Sequence, residues 1–202
     1  MIGARIGHSL DPLILRIYRL FFGKRVVSPN VLTLFGLFFS LLAAALIALG
    51  GHLLAAAVML FLSGFCDMLD GAVARHLKMV TPFGGFLDSV LDRYSDLLLM
   101  LALSIHFLRL NDPLFSMLSF FAAIGIAVIP YARARAEAAS IHCHNGLLER
   151  PERIILLIAG LSLPILRPVV LILAVLTHVT VLHRVLLTKR AAEAGGGRRH
   201  GG

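Results

Sequence analysis

Charged side chains are scarce in this 202-residue chain, with Asp, Glu, Lys and Arg at only 15%, where a soluble domain carries about 25%. Hydrophobic residues reach 58%, and the mean hydropathy is +0.89. A water-soluble globule of this size has no interior large enough to hide that much apolar surface. The same composition excludes intrinsic disorder of the chain as a whole. Cysteine is nearly absent, Cys66 and Cys143 being the only two, which excludes a disulfide-built scaffold. Period-2 alternation of the barrel kind is missing throughout, so a membrane β-barrel is excluded as well. What remains is an all-α integral membrane protein. Its acidic residues number 11 against 19 Lys and Arg, so this apolar chain still carries a formal charge of +8.

A bilayer crossing needs about 20 apolar residues at 1.5 Å each. Six runs qualify, at 31–50, 53–75, 83–108, 113–139, 152–166 and 168–187, the fifth being short and ending near Pro164. Gly50-Gly51, Asn111-Asp112-Pro113 and Arg167-Pro168 break the pattern and read as tight turns. Only Arg109 and Arg167 fall in turns on one side; the other 17 of 19 basic residues lie toward the opposite face. The positive-inside rule then puts both termini in the cytoplasm of a multi-pass protein of the cell (inner) membrane. No cleaved signal peptide is expected, because Met1–Asn30 lacks an apolar core ending in small residues.

The expected organisation is residues 1–30 with a cytoplasmic interfacial helix, 31–190 as a six-helix transmembrane domain, and 191–202 as a disordered basic tail. Before the first span, Leu13, Ile14, Ile17, Leu20 and Phe21 share one helical face, with Arg16 and Arg19 toward the other. That pattern suits an amphipathic helix lying against anionic headgroups. An ordinary packing helix is the alternative. The Gly- and Arg-rich end, Ala191–Gly202, reads as disordered.

An ionisable group inside a spanning helix costs roughly 2.5–3.5 kcal/mol and marks function by default. The second span ends with Asp67 and Asp70 at i,i+3; the third opens with Asp88, Asp92 and Asp96 at i,i+4. Each set shares a helical face. The short loop between these spans predicts antiparallel neighbours whose carboxylates meet near the cytoplasmic end. Four carboxylates this close need a counter-charge. Arg75 and Arg93 can supply part of it, and a hard cation with oxygen ligands, Mg²⁺ or Mn²⁺, answers better, as a two-metal site. Gly71 and Ala74 leave room for a bulky ligand beside Asp70. A buried ion-pair network is the bland alternative, and a proton or cation pathway through the membrane is the rival from another class.

These residues carry a resemblance. Asp67-x-x-Asp70-Gly71-x-x-Ala74-Arg75, followed after eight residues by Gly84-x-x-x-Asp88-x-x-x-Asp92, resembles the signature of the CDP-alcohol phosphatidyltransferases at every fixed position. The resemblance extends over nearly the whole chain. It implies a membrane enzyme in which an alcohol attacks the lipid-side phosphorus of a CDP-linked lipid and CMP leaves. It also implies that Asp67, Asp70 and Asp88 bind metal, and that Asp92 completes the second metal's shell and serves as general base. Asn30, Val31, Leu32, Thr33, Gly71, Ala74, Arg75 and Thr81 match positions that hold the CDP moiety. The residue chemistry agrees, because in-line displacement at a pyrophosphate needs metals and Arg on the oxygens rather than covalent help.

The acceptor is read from later segments. Arg133, Arg135, Arg150 and Arg153 concentrate at one expected cytoplasmic cleft, and Arg184 can join them. Arg forks suit phosphate, so a phosphorylated acceptor is the natural inference; positive-inside topology with anionic-lipid contact would explain some of the same charges. Ala-Arg135-Ala-Glu-Ala, then Glu-Arg150-Pro-Glu-Arg153, with Leu-Asp92-Arg-x-Ser-Asp96, resembles the phosphatidylinositol phosphate synthase branch of bacteria. That resemblance implies CDP-diacylglycerol as donor, 1D-myo-inositol 3-phosphate as acceptor, those five arginines as the acceptor-phosphate pocket, and a homodimer. Arg133 stands where the branch often carries Lys. Glycerol 3-phosphate or another polar alcohol as acceptor, an archaeal-type CDP-lipid as donor, and a cation or proton transporter are the alternatives. Against the last, the carboxylates cluster at one face and Arg75 would repel a travelling cation.

No nucleic-acid partner is expected. His142-Cys143-His144 has spacing too tight for a tetrahedral zinc site, and Cys66 reads as a small buried residue rather than a nucleophile.

Overall fold

The computed structural model describes residues 14–16, 18, 20, 27–141 and 148–196, all helix, turn or loop, with no strand among them. Six helices follow in order: α1 (Pro29–Ala45), α2 (Leu53–His76), α3 (Pro82–Arg109), α4 (Pro113–Ala138), α5 (Arg150–Ser162) and α6 (Leu166–Gly196). The end of α1 widens into a π-helical turn over Leu46–Gly50, closed by Gly51 at φ 63°. Pro opens α1, α3 and α4 in the first turn, where its missing N–H costs nothing.

Three helices end alike, although no glycine stands at the turn. Lys78, Asn111 and Ser140 take positive φ of 55–58°, and the next residue's N–H reaches back to the helix. Met79 N–H donates to Ala74 O, Asp112 N–H to Phe107 O, and Ile141 N–H to Ala136 O, each at 2.9 Å. This Schellman pairing satisfies carbonyls the helix leaves open. It turns the chain from α2 into α3 within five residues, 77–81.

The helices close a ring in the spatial order α1–α2–α5–α6–α4–α3. Chain neighbours α2 and α3, expected to pack side by side, are not close-packed; α1 lies against both. Small residues allow that approach, as Ser63 Oγ donates to Gly36 O at 2.8 Å, and a Cβ on Gly36 would stand 3.5 Å from Cys66 Cβ. The separation leaves the facing ends of α2 and α3 open for their carboxylates. The main core runs through Ala43, Ile47, Leu60, Leu103, Phe107, Ile126 and Leu173. Around it Phe35, Phe38, Phe61, Phe120 and Phe121 face outward, an apolar belt no soluble monomer would expose.

Among the described residues four helices are long and apolar enough to cross a bilayer: Pro29–Gly50, Leu53–His76, Pro113–Ala138 and Leu166–Glu193. The protein is therefore an all-helical membrane protein. Helix α3 has the length, 28 residues, but its N-terminal side and middle carry Asp88, Asp92, Arg93 and Asp96. Where a span is expected at 152–166, helix α5 has 13 residues and stops at Ser162, about 20 Å, and the chain continues to Arg167, which pairs with Asp112 at the start of α4. Leu163, extended at ψ 159°, precedes Pro164, which disfavours the helical region for the residue before it.

The tail boundary shifts too. Helix α6 runs through Gly196, because Ala191-Ala-Glu-Ala favours helix and Lys189 pairs with Glu193 at 3.9 Å. Residues 197–202 lie outside the described residues. At the N-terminus Ile14 and Tyr18 are buried against Leu32, Leu69, Ala72 and Val73, and Val27 N–H donates to Tyr18 Oη at 2.9 Å. Those two side chains pack on the bundle, while Leu20 is exposed. Leu13, Ile17, Arg19 and Phe21 lie outside the described residues, as does His142-Cys143-His144.

Candidate active site

One end of the ring gathers the polar residues that the sequence singles out. The i,i+3 spacing aims Asp67 and Asp70 off α2, and Asp88 comes from the second turn of α3. Carboxylate oxygens of Asp67, Asp70 and Asp88 lie within 4.8 Å of one another. Thr33 Oγ1, from the first turns of α1, donates to Asp70 Oδ2 at 2.7 Å, which fixes that carboxylate against α1. Asp88 Oδ1 is buried with no hydrogen-bond partner. Three hard oxygen donors, one of them orphaned, fit a divalent cation.

A cleft of about 240 Å³ opens beside the trio. Asn30, Thr33, Gly71, Ala74, Arg75 and Thr81 line it with Asp70 and Asp88. Side chains close in on a glycine at both walls. A Cβ on Gly71 would stand 3.1 Å from Arg75 Nη1; one on Gly84 would stand 3.0 Å from Thr81 Oγ1 and 3.2 Å from Asn30 Oδ1. Thr81 also caps α3, accepting from Gly84 N–H at 3.0 Å. Val31 and Leu32 are not among the lining residues. Asn30 and Thr33 are three apart and share a helical face, so the two residues between them turn elsewhere: Val31 outward and Leu32 into the core.

The fourth aspartate is held differently. Arg150, at the start of α5, places Nη1 2.6 Å from Asp67 Oδ1 and 2.7 Å from Asp92 Oδ1. Counter-charge for these carboxylates therefore comes chiefly from Arg150, one of the five arginines expected at the acceptor. Arg93 lies farther off, 3.9 Å from Asp92 and 3.7 Å from Asp96. One turn along α5, Arg153 is buried and donates to Asp96 Oδ2 at 2.6 Å. Asp96 belongs to the α3 aspartate row, yet its pairing with α5 carried no signal in the spacing. The Nε atoms of Arg150 and Arg153 are buried without a hydrogen-bond partner.

The remaining arginines divide. Arg184 is buried, donates to Ile129 O at 3.1 Å and lies 3.5 Å from Glu149 Oε1, beside Arg150 in sequence. Arg135 and Arg184 line a second cavity between α4 and α6, of about 320 Å³. Arg133 is exposed and pairs with Glu137 at 2.8 Å. Cys66 is buried and in no disulfide. At the opposite end Arg109 donates to the carbonyls of Ala48 and Leu49, and Arg167 pairs with Asp112 at 2.8 Å.

An oxygen-donor trio opening on a cleft, backed by buried guanidiniums, places this membrane protein among helical enzymes that handle phosphate groups. More narrowly, the chain belongs to the CDP-alcohol phosphatidyltransferase family, whose model matches residues 26–188. It is 35% identical over 170 residues to the archaetidylinositol phosphate synthase of Pyrococcus horikoshii, covering 84% of this chain and 87% of that one. It is 37% identical over 142 residues to the phosphatidylinositol phosphate synthase of Corynebacterium glutamicum, covering 69% and 65%. The crystal structure of Mycobacterium tuberculosis phosphatidylinositol phosphate synthase with CDP-DAG bound matches with TM-score 0.74 at 30% identity, over 91% of this chain and 94% of that one. The same enzyme in complex with manganese and citrate matches at 0.75, with 28% identity over 88% of each chain. The protein is thus a phospholipid-synthesis transferase, as the aspartate signature implies. The transporter alternative falls with that membership.

Proposed function

We propose that the protein transfers the phosphatidyl group of CDP-diacylglycerol to 1D-myo-inositol 3-phosphate, giving phosphatidylinositol phosphate and CMP. The observation that carries this reading is the contact between the two halves of the site: Arg150 touches Asp67 and Asp92 while its neighbour Arg153 holds Asp96. A group bound at the guanidiniums therefore lies beside the carboxylates. The buried, unpartnered Nε donors of Arg150 and Arg153 suit an added phosphate.

In this reading Asp67, Asp70 and Asp88 hold Mg²⁺ or Mn²⁺, two ions with Asp92 included. A metal held by these carboxylates would offset the pyrophosphate's charge and the charge developing on the oxygens of the transferred group. Asn30, Thr33, Gly71, Ala74, Arg75 and Thr81 seat the CDP group in the cleft. Arg150, Arg153 and Arg184, with Arg135 and Arg133 farther out, hold the acceptor's phosphate. Asp92 takes the proton of the attacking hydroxyl as its oxygen bonds to the lipid-side phosphorus. The phosphorus–oxygen bond to CMP breaks, and CMP carries the electron pair away.

Six crossings, the N-terminal segment at the interface, a cytoplasmic site in the inner membrane and a homodimer complete the proposal. The charge distribution supports the orientation, since Arg109 and Arg167 mark the far end and are both tied down there. A second reading of the donor is supported by the Pyrococcus relative, whose name specifies an archaeal lipid.

Purified protein, supplied with labelled CDP-diacylglycerol or an archaeal-type CDP-lipid, tests this directly. Inositol 3-phosphate, inositol, glycerol 3-phosphate and serine are offered in parallel. CMP release is expected with inositol 3-phosphate far above the others; equal rates with glycerol 3-phosphate would overturn the acceptor. EDTA is expected to abolish turnover and Mg²⁺ or Mn²⁺ to restore it, and turnover that survives the chelator would remove the metal reading.

A further inference from the structure

We propose that Asp96 is a positioning residue for the acceptor, a buried carboxylate that fixes the guanidinium of Arg153, next to Arg150, before substrate arrives. This rests on the reading that those arginines bind the acceptor's phosphate.

Asp96 follows Asp92 by one helical turn of α3 and is 6% exposed. Its Oδ2 accepts from Arg153 Nη2 at 2.6 Å and its Oδ1 lies 3.8 Å from Arg150 Nε. Arg93 Nη2 approaches Oδ2 at 3.7 Å. Arg153 is itself 2% exposed, and its other hydrogen bond, to Leu148 O, is long at 3.4 Å. One short, charge-assisted bond to Asp96 therefore sets where the Arg153 fork points.

The chemistry asks for such a group. Two guanidiniums three residues apart on one helix repel each other, and a carboxylate between them lets both stay. Phosphate capture by a fork depends on its orientation, so the residue that locks its rotamer governs affinity without touching the ligand. Asp96 lies outside the trio suited to metal, so the α3 row divides its work: Asp88 completes the trio, Asp92 serves the reacting hydroxyl, and Asp96 holds Arg153.

The test compares steady-state kinetics of the full-length wild type, Asp96→Asn, Asp96→Glu and Arg153→Ala, with Mn²⁺ binding and thermal melting on the same samples. For Asp96→Asn, the KM for inositol 3-phosphate is expected to rise about tenfold or more, with the KM for CDP-diacylglycerol and the Mn²⁺ affinity within about twofold. Asp96→Glu, which keeps the charge but shifts it by one methylene, is expected to fall between Asn and wild type. If the Asn variant does not melt cooperatively, the Glu variant carries the test through the same selective rise. Equal rises in both KM values, or a fall in kcat alone, would overturn the positioning role. So would an Arg153→Ala rise in acceptor KM that neither Asp96 variant shares, which leaves the arginine reading standing. An unchanged acceptor KM in Arg153→Ala would overturn the arginine reading and the role of Asp96 with it.

Discussion

Asp92→Asn is expected to lower kcat by about two to four orders of magnitude, the range a general base contributes. Asn keeps the shape of the side chain and can still accept from Arg150, which lies 2.7 Å from Asp92 Oδ1. It cannot take a proton from the attacking hydroxyl. Asp67, Asp70 and Asp88 keep their mutual geometry, and Asp92 does not line the cleft proposed for CDP. Equilibrium binding of CDP-diacylglycerol should therefore stay close to wild type while CMP release fails. A variant turning over at nearly the normal rate would remove the base assignment.

Arg153→Ala is expected to raise the KM for inositol 3-phosphate by about a hundredfold, because losing a charge-assisted fork to a phosphate costs roughly 2–3 kcal/mol. The KM for CDP-diacylglycerol should move little, since no atom of Arg153 lines that cleft. Stability will fall as well. Removing one member of a buried ion pair costs about 3–5 kcal/mol when the other charge is stranded. Here the loss should be smaller, because Asp96 keeps Arg93 at 3.7 Å and Arg150 at 3.8 Å. Thermal melting separates the two effects: an inactive protein that still melts cooperatively, at a somewhat lower Tm, has lost the acceptor, not the fold. Equal rises in both KM values would argue against an acceptor pocket.

The carboxylates were legible because helical spacing alone puts Asp67 with Asp70, and Asp88 with Asp92, on common faces. Asn30 and Thr33 came only with the family resemblance, and helical periodicity explains why Val31 and Leu32, carried along with them, turn away. Length was less legible. Residues 152–166 look apolar enough to span, and only the extended backbone before Pro164 shows that α5 stops at Ser162. The ring order was not legible at all. A five-residue loop argues for packed neighbours, whereas α1 takes the position against both α2 and α3. Partners distant in sequence leave no local pattern, so the sequence around Arg150 points to the acceptor and carries no sign of its grip on Asp67 and Asp92.

That grip has a consequence for how the protein is made. Arg150 stands 83 residues after Asp67, and Arg153 stands 57 after Asp96. A ribosome adding about 5–20 residues per second needs roughly 4–17 s to cover the longer interval. From the completion of α3 at Arg109 until α5 emerges, both acidic helices are finished while the guanidiniums of Arg150 and Arg153 do not yet exist. Each unpaired carboxylate resists entry into hydrocarbon by roughly 2.5–3.5 kcal/mol. The acidic half of the site is thus synthesised before the basic half that neutralises it, and a nascent chain truncated ahead of α5 should settle less deeply in the membrane than the finished one.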